Sequence, residues 1–110
     1  MPGQFLAEFE LYVMLAIARL DDEAYGAAVR QEIEVRTGRP VSIGALYATL
    51  ARLEAKGLIT LRTSRPQPGQ RGRPRRYSRL TPRGSAALQH SSSMLVRMMS
   101  GLQLARGSQK

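Results

Sequence analysis

At 110 residues the chain is one ordinary domain, able to bury roughly 60–70% of its unfolded surface but too short for two independent cores. Hydrophobic residues at 43% and charged residues at 23% exclude the apolar-poor composition of a disordered chain, and the absence of cysteine excludes disulfides, thiolate metal sites and cysteine nucleophiles. The net charge of +9 is one-sided: eight acids and six bases precede Gly57, a balance of −2, whereas eleven bases and no acid follow it, a balance of +11. A half of one sign is addressed to a polyanion, nucleic acid ahead of an anionic membrane.

Residues 5–20, "FLAEFELYVMLAIARL", predict a first helix with Glu8 and Glu10 in its opening turns, where the helix dipole favours acids. Its second half is apolar all round, which predicts burial against both its own core and a second subunit, with Phe5 and Phe9 as candidate contacts. The apolar run Leu11–Ala18 is eight residues, short of the roughly 20 that span a bilayer. "MPGQFLAEFE" also lacks the basic start of a signal peptide, so a cytoplasmic protein with no membrane partner is expected.

Asp21 or Asp22 as cap, acids in the first turn and Gly38 as a left-handed stop predict a second helix over 23–37, with Ala28, Val29, Ile33 and Val35 facing inward. "RPV" is a tight connection, since Pro40 keeps Arg39 out of the helical region. Ser42 opens a third helix that ends at Lys56 before Gly57, with Ile43, Leu46, Leu50 and Leu53 as its buried stripe. Its opposite face carries Gly44, Ala45, Ala48, Ala51, Arg52 and Ala55, flanked by Tyr47 and Thr49.

Past Gly57 the period shortens. "LITLRT", 58–63, reads as a strand; "SRPQPGQRGRP" has five Pro or Gly and no apolar side chain, so it is a loop; "RRYSRLT" resumes the alternation and closes a hairpin. Thr81 as cap and Pro82 in the first turn start a last helix running to about Arg106. Leu88, Leu95 and Leu102 recur every seven residues with Met98 between them, a seam for a two-helix interface.

Helix, helix, tight turn, helix, strand, basic loop, strand, helix is the order of a winged helix-turn-helix. The expectation is a mainly α (α+β) fold with a two-stranded wing. Residues 1–81 would form the DNA-binding unit and 82–110 a C-terminal dimerisation helix with a fraying tail. Alanines let a helix sit deep in a major groove and touch thymine methyls, while flanking polar groups reach phosphates and base edges. Ser42, Ala45, Tyr47, Ala48, Thr49 and Arg52 are the candidates on the reading helix.

"DDEAYGAAVRQEIEVRTGRPVSIGALYATLARLEAKGLI" followed by "GRPRRYSRLTPRG" resembles the PadR family of bacterial transcriptional regulators. The likeness runs from about Phe9 to Leu88 and rests on Tyr25-Gly26, Ser42, Leu46-Tyr47, Leu50, Leu53, Gly57-Leu58, Arg75 to Tyr77, and Leu80 to Gly84. It implies a winged-helix repressor, dimeric through its first and last helices, whose third helix reads an operator. A short C-terminal region resembles the compact subgroup, several of whose members sense phenolic compounds or drugs. This chain departs from some of those in having no tryptophan and in carrying Ser78 where an aromatic is common.

"QRGRPRRYSRLTPRG", 70–84, holds six arginines and no acid. Alone, Arg71 to Pro74 looks like the core of an AT-hook; in its context it is a wing tip, and both readings bring Arg71 and Arg73 to a minor groove, with Arg75 and Arg76 beside them. The bland alternatives are a solvated basic face for the wing and a helix-packing surface for the alanines; burying Arg52 unpaired would be costly, which favours the groove. Met94, Met98 and Met99 are either interface core or an adaptable lining for a small hydrophobic ligand. His90, lacking partners, is neither a metal site nor a catalytic base, and no cofactor or enzymatic activity is expected. The sequence therefore reads as a homodimeric repressor on a pseudo-palindromic operator, relieved by a ligand or partner. The alternative is sequence-independent, nucleoid-type binding.

Overall fold

Side-chain caps and left-handed glycines set where these helices begin and end. A computed structural model describes residues 6–64 and 74–103. Helix α1 spans Glu8–Leu20, α2 Gly26–Thr37 and α3 Ile43–Ala55; strands β1 (Ile59–Ser64) and β2 (Arg75–Leu80) follow, and α4 covers Pro82–Met99. Ser42 caps α3 by accepting from the Ala45 N–H at 3.0 Å. Thr81 caps α4: its hydroxyl accepts from the Gly84 N–H at 2.9 Å and donates to the Gly57 carbonyl at 2.7 Å. Gly38 (φ 74°) and Gly57 (φ 78°) adopt the left-handed geometry that stops α2 and turns α3 into β1.

One core joins these elements. Val13, Met14 and Ile17 of α1 meet Val29 and Ile33 of α2, Leu46, Leu50 and Leu53 of α3, and Leu58 and Ile59 at the start of β1. The turn between α2 and α3 is fixed by α2's own side chains: Arg30 donates to the Val41 carbonyl at 2.7 Å, and Glu34 accepts from the Val41 N–H at 2.8 Å. The antiparallel hairpin pairs Ile59 with Leu80 at its base and Ser64 with Arg75 at its outer end. Gly84 lets α4 start hard against β1, because a Cβ there would lie 1.9 Å from the Leu58 carbonyl oxygen.

The mainly α winged architecture is the one expected, and several details differ. Asp21–Glu23 form a short 3-10 turn, and Tyr25, in extended backbone, takes the cap position of α2 in place of Asp21 or Asp22. The cause is tertiary: the Ala24 carbonyl accepts from the Ser78 N–H at 2.8 Å and Tyr25 bridges to Tyr77, so this segment runs as a third strand stub beside the wing. Val35 and Ile43 are exposed, not inward. Helix α4 ends at Met99, well short of Arg106; Ser100 leaves helical geometry and Gly101 is left-handed, so Leu102 lies beyond the helix and continues no heptad. Leu88, expected at an interface between subunits, is only 8% exposed and belongs to the chain's own core. Leu15 is the surplus of α1, left on the surface while Val13, Met14, Ala16 and Ile17 are buried.

Candidate nucleic-acid interface

The core holds α3 by one side and leaves the other bare. Leu46, Thr49, Leu50 and Leu53 point inward, and Gly44, Ala45, Ala48, Ala51, Arg52 and Ala55 are exposed, with nothing within 4 Å of the place where a Gly44 Cβ would sit. The helix thus presents a slim ridge of hydrogens and methyl groups. Its buried stripe is turned by roughly 30° from the expected one at 100° per residue. That rotation admits Thr49 and expels Ile43. Thr49, a candidate for contact with DNA, is 2% exposed, and its hydroxyl accepts from Arg52 Nη2 at 3.0 Å. It is a structural residue that steadies the arginine beside the ridge.

Arg52 is held from two sides. Besides Thr49 it faces the Glu10 carboxylate of α1, with Nε 3.7 Å from Oε2, while Lys56 Nζ reaches the same oxygen at 3.0 Å. Glu10 is buried. Burial pushes its carboxyl up, but the Ala7 N–H at 2.9 Å, the Lys56 ammonium and the Arg52 guanidinium outweigh that and hold it below the ordinary carboxylate value. A paired carboxylate under the end of α3 therefore orients two cations whose outer edges stay exposed, the Arg52 side chain at 56%. Sequence placed Glu10 only in relation to the helix dipole; no local spacing signals a partner 46 residues away.

Tyr47 flanks the ridge on the opposite side and is 40% exposed. Its hydroxyl rests on Gly26: a Cβ there would lie 2.2 Å from it, which explains the glycine. Ser42 is exposed at the mouth of α3, its oxygen already engaged by the cap.

The register of the wing divides its cations. Thr60, Arg62 and Ser64 share a face with Arg79, Tyr77 and Arg75; Thr63 and Arg76 belong to the other face, with Ile59, Leu61, Ser78 and Leu80. Arg75 and Arg76, adjacent in sequence, thus point apart. Ser78, standing on the inner face, is buried, and its N–H donates to the Ala24 carbonyl. The Arg75 guanidinium lies 4.1 Å from the centre of the Tyr25 ring, and Arg62 lies 5.1 Å from that of Tyr77. The two rings meet edge to face at 5.7 Å. Arg79 is drawn off by Asp22 at 3.0 Å. Arg62 escaped the sequence reading, although the hairpin register that pairs it with Tyr77 was the signal that could have found it. Arg71 and Arg73 lie outside the described residues.

Away from this surface, α4 carries Leu95, Val96, Met98 and Met99 in the open, Met98 at 77%, with Leu102 following. Phe9 packs partly into the core and Phe5 lies outside the described residues. An apolar groove of about 200 Å³ lies between α1 and α2 beside Tyr12, Leu15 and Ile33; Met94, Met98 and Met99 do not line it. Among the described residues no cluster of three or more metal-ligating side chains occurs, and no helix is long and apolar enough to cross a membrane.

Comparison with known proteins gives a consistent picture. Residues 14–90 match the model of the transcriptional regulator PadR-like family. The transcriptional regulator Rv3488 of Mycobacterium tuberculosis is 48% identical over 68 residues, which cover 62% of this chain and 59% of that protein. Among solved structures, a PadR-like transcription factor from Bacteroides fragilis superposes with a TM-score of 0.68 at 26% identity, covering 82% of each chain. A PadR family regulator from Eggerthella lenta gives 0.64 at 28% identity, covering 84% of this chain and 82% of its own.

Proposed function

The chain belongs to the PadR-like family of transcriptional regulators, and from that premise we propose that it is a homodimeric, sequence-specific repressor acting in the cytoplasm on a pseudo-palindromic operator. The observation that carries the reading is the exposed ridge of α3. A helix face of glycine and alanine, flanked by Tyr47 and Arg52 and held rigidly by the core, is shaped to enter a major groove. The wing sets its arginines beside it, where phosphates and a minor groove run.

Two subunits are supported by the run of large apolar side chains exposed at the end of α4 together with Leu15 of α1. In that arrangement α3 of each subunit would read one half-site. Relief would come from a small hydrophobic ligand or a partner protein that alters the separation of the two reading helices, with Met94, Met98 and Met99 as adaptable lining.

The test is protection of the DNA upstream of the chain's own transcription unit, with bulk DNA as competitor at fixed salt. A repressor of this kind prefers its operator by at least about 10³. Equal affinity for both would make it a sequence-independent binder, and a monomer at micromolar concentration would remove the two-half-site scheme.

A further inference from the structure

The tyrosines of the wing root do more than pack. Four groups stand in a row across the hairpin and its strand stub: Arg62 over Tyr77, Tyr77 edge-on to Tyr25, and Tyr25 under Arg75. The row is anchored at backbone level, since Tyr25 bridges to Tyr77 and the Ser78 N–H donates to the Ala24 carbonyl. Tyr25 therefore belongs to the start of α2 and to the wing at once.

A guanidinium stacked on a ring spends only its flat face on that contact. Its N–H donors lie in its plane, and those not turned to a neighbouring side chain, as Arg75 turns to Tyr77, stay free for oxygen acceptors. A stacked arginine has also given up most of its rotamer freedom before any ligand arrives, so less is lost on binding. Of the three arginines on this face, Arg79 is occupied by Asp22, whereas Arg62 and Arg75 touch rings. Both rings, Tyr25 and Tyr77, are half-buried, which fixes the platform.

We infer that Tyr25 is a positioning residue for DNA-backbone contact: with Tyr77 it holds Arg75 and Arg62 flat at the root of the wing, their donor edges turned out toward phosphate. This rests on the DNA reading above and concerns phosphates, so its test needs no operator. The affinity of the full chain for a mixed-sequence duplex is measured over a series of salt concentrations.

Arg75→Ala is expected to weaken binding and to make the slope of log affinity against log salt shallower by about 0.9, one phosphate contact. Tyr25→Leu, which keeps bulk and removes the π face, is expected to weaken binding about 2- to 5-fold, and Tyr25→Phe to leave it unchanged. In the Arg75→Ala background Tyr25→Leu should cost less than it does alone, because only Arg62, held through Tyr77, is left to loosen. Arg75→Lys, which keeps the charge without the flat face, should fall with Tyr25→Leu. The inference is overturned if Tyr25→Leu costs as much in the Arg75→Ala background as alone, or if Arg75→Lys binds as tightly as the unaltered protein. Because residue 75 is exposed, the lysine variant decides the matter even if Tyr25→Leu fails to fold. No salt-dependent affinity in the unaltered protein would take down the DNA reading itself, and this inference with it.

Discussion

Helix α3 and the wing, in the DNA-binding role proposed for them, meet one requirement by opposite means. Helix α3 is over-determined from behind, by Leu46, Leu50 and Leu53 in the core and by Glu10 under Arg52 and Lys56, and it shows almost no side chain in front. The wing is a two-stranded ribbon with little behind it beyond its base, and it presents long charged side chains steadied by rings. Shape resides in the first and charge in the second. Their separation means that fit and electrostatic attraction can fail independently, and each can be measured alone.

The largest expected effect breaks the frame common to both. Gly84→Ala would drive a Cβ to within 1.9 Å of the Leu58 carbonyl, a backbone atom that cannot step aside, so urea unfolding should show a loss of about 3 kcal/mol or more. Ala48→Glu attacks shape alone. A carboxylate on the exposed ridge should leave unfolding within about 0.5 kcal/mol of the parent while costing operator affinity at least about 2 kcal/mol in a direct titration. Arg76→Ala attacks charge alone: the salt slope should lessen by about 0.9 and the ranking of operator variants should stay the same.

Two smaller effects sharpen the boundary between the regions. Glu10 titrates lower in the folded chain than in the unfolded one, so the unfolded chain takes up its proton first as pH falls. The stability this carboxylate contributes is present above the ordinary carboxylate range and is lost as pH drops below about 4.5 through the depressed folded value. Unfolding followed against pH should show that loss, and Glu10→Gln should flatten the dependence in that window. Asp21 has φ of 52°, a conformation that suits glycine, and lies beside Thr60, Arg62 and Arg79 at the root of the wing. Asp21→Gly should raise stability by about 0.5–1 kcal/mol in the same denaturation assay.

Much of the fold was legible because its stops and starts are local. Ser42, Thr81 with Pro82, Gly38 and Gly57 act through hydrogen bonds and dihedral angles within a few residues, and all four are where the sequence puts them. What escaped depended on distant partners. Asp22 made a poor cap for α2 because a wing some 55 residues onward draws Ala24 and Tyr25 into extended backbone. Thr49 went inward because Arg52 satisfies its hydroxyl, something apolar periodicity does not count. Leu88 and Leu95 share a heptad position, yet the first lies over the core and the second beyond its edge. That Arg75 and Arg76 lie on opposite faces of the hairpin follows from strand alternation alone.

The bareness of α3 has an evolutionary corollary. Gly44, Ala48, Ala51 and Ala55 are exposed, so on the proposed reading a lineage could exchange these four for other small or polar groups and acquire a new target while inheriting the old scaffold intact. Duplicated copies of such a gene would diverge first on that strip, and a handful of codons would suffice to rewire a promoter.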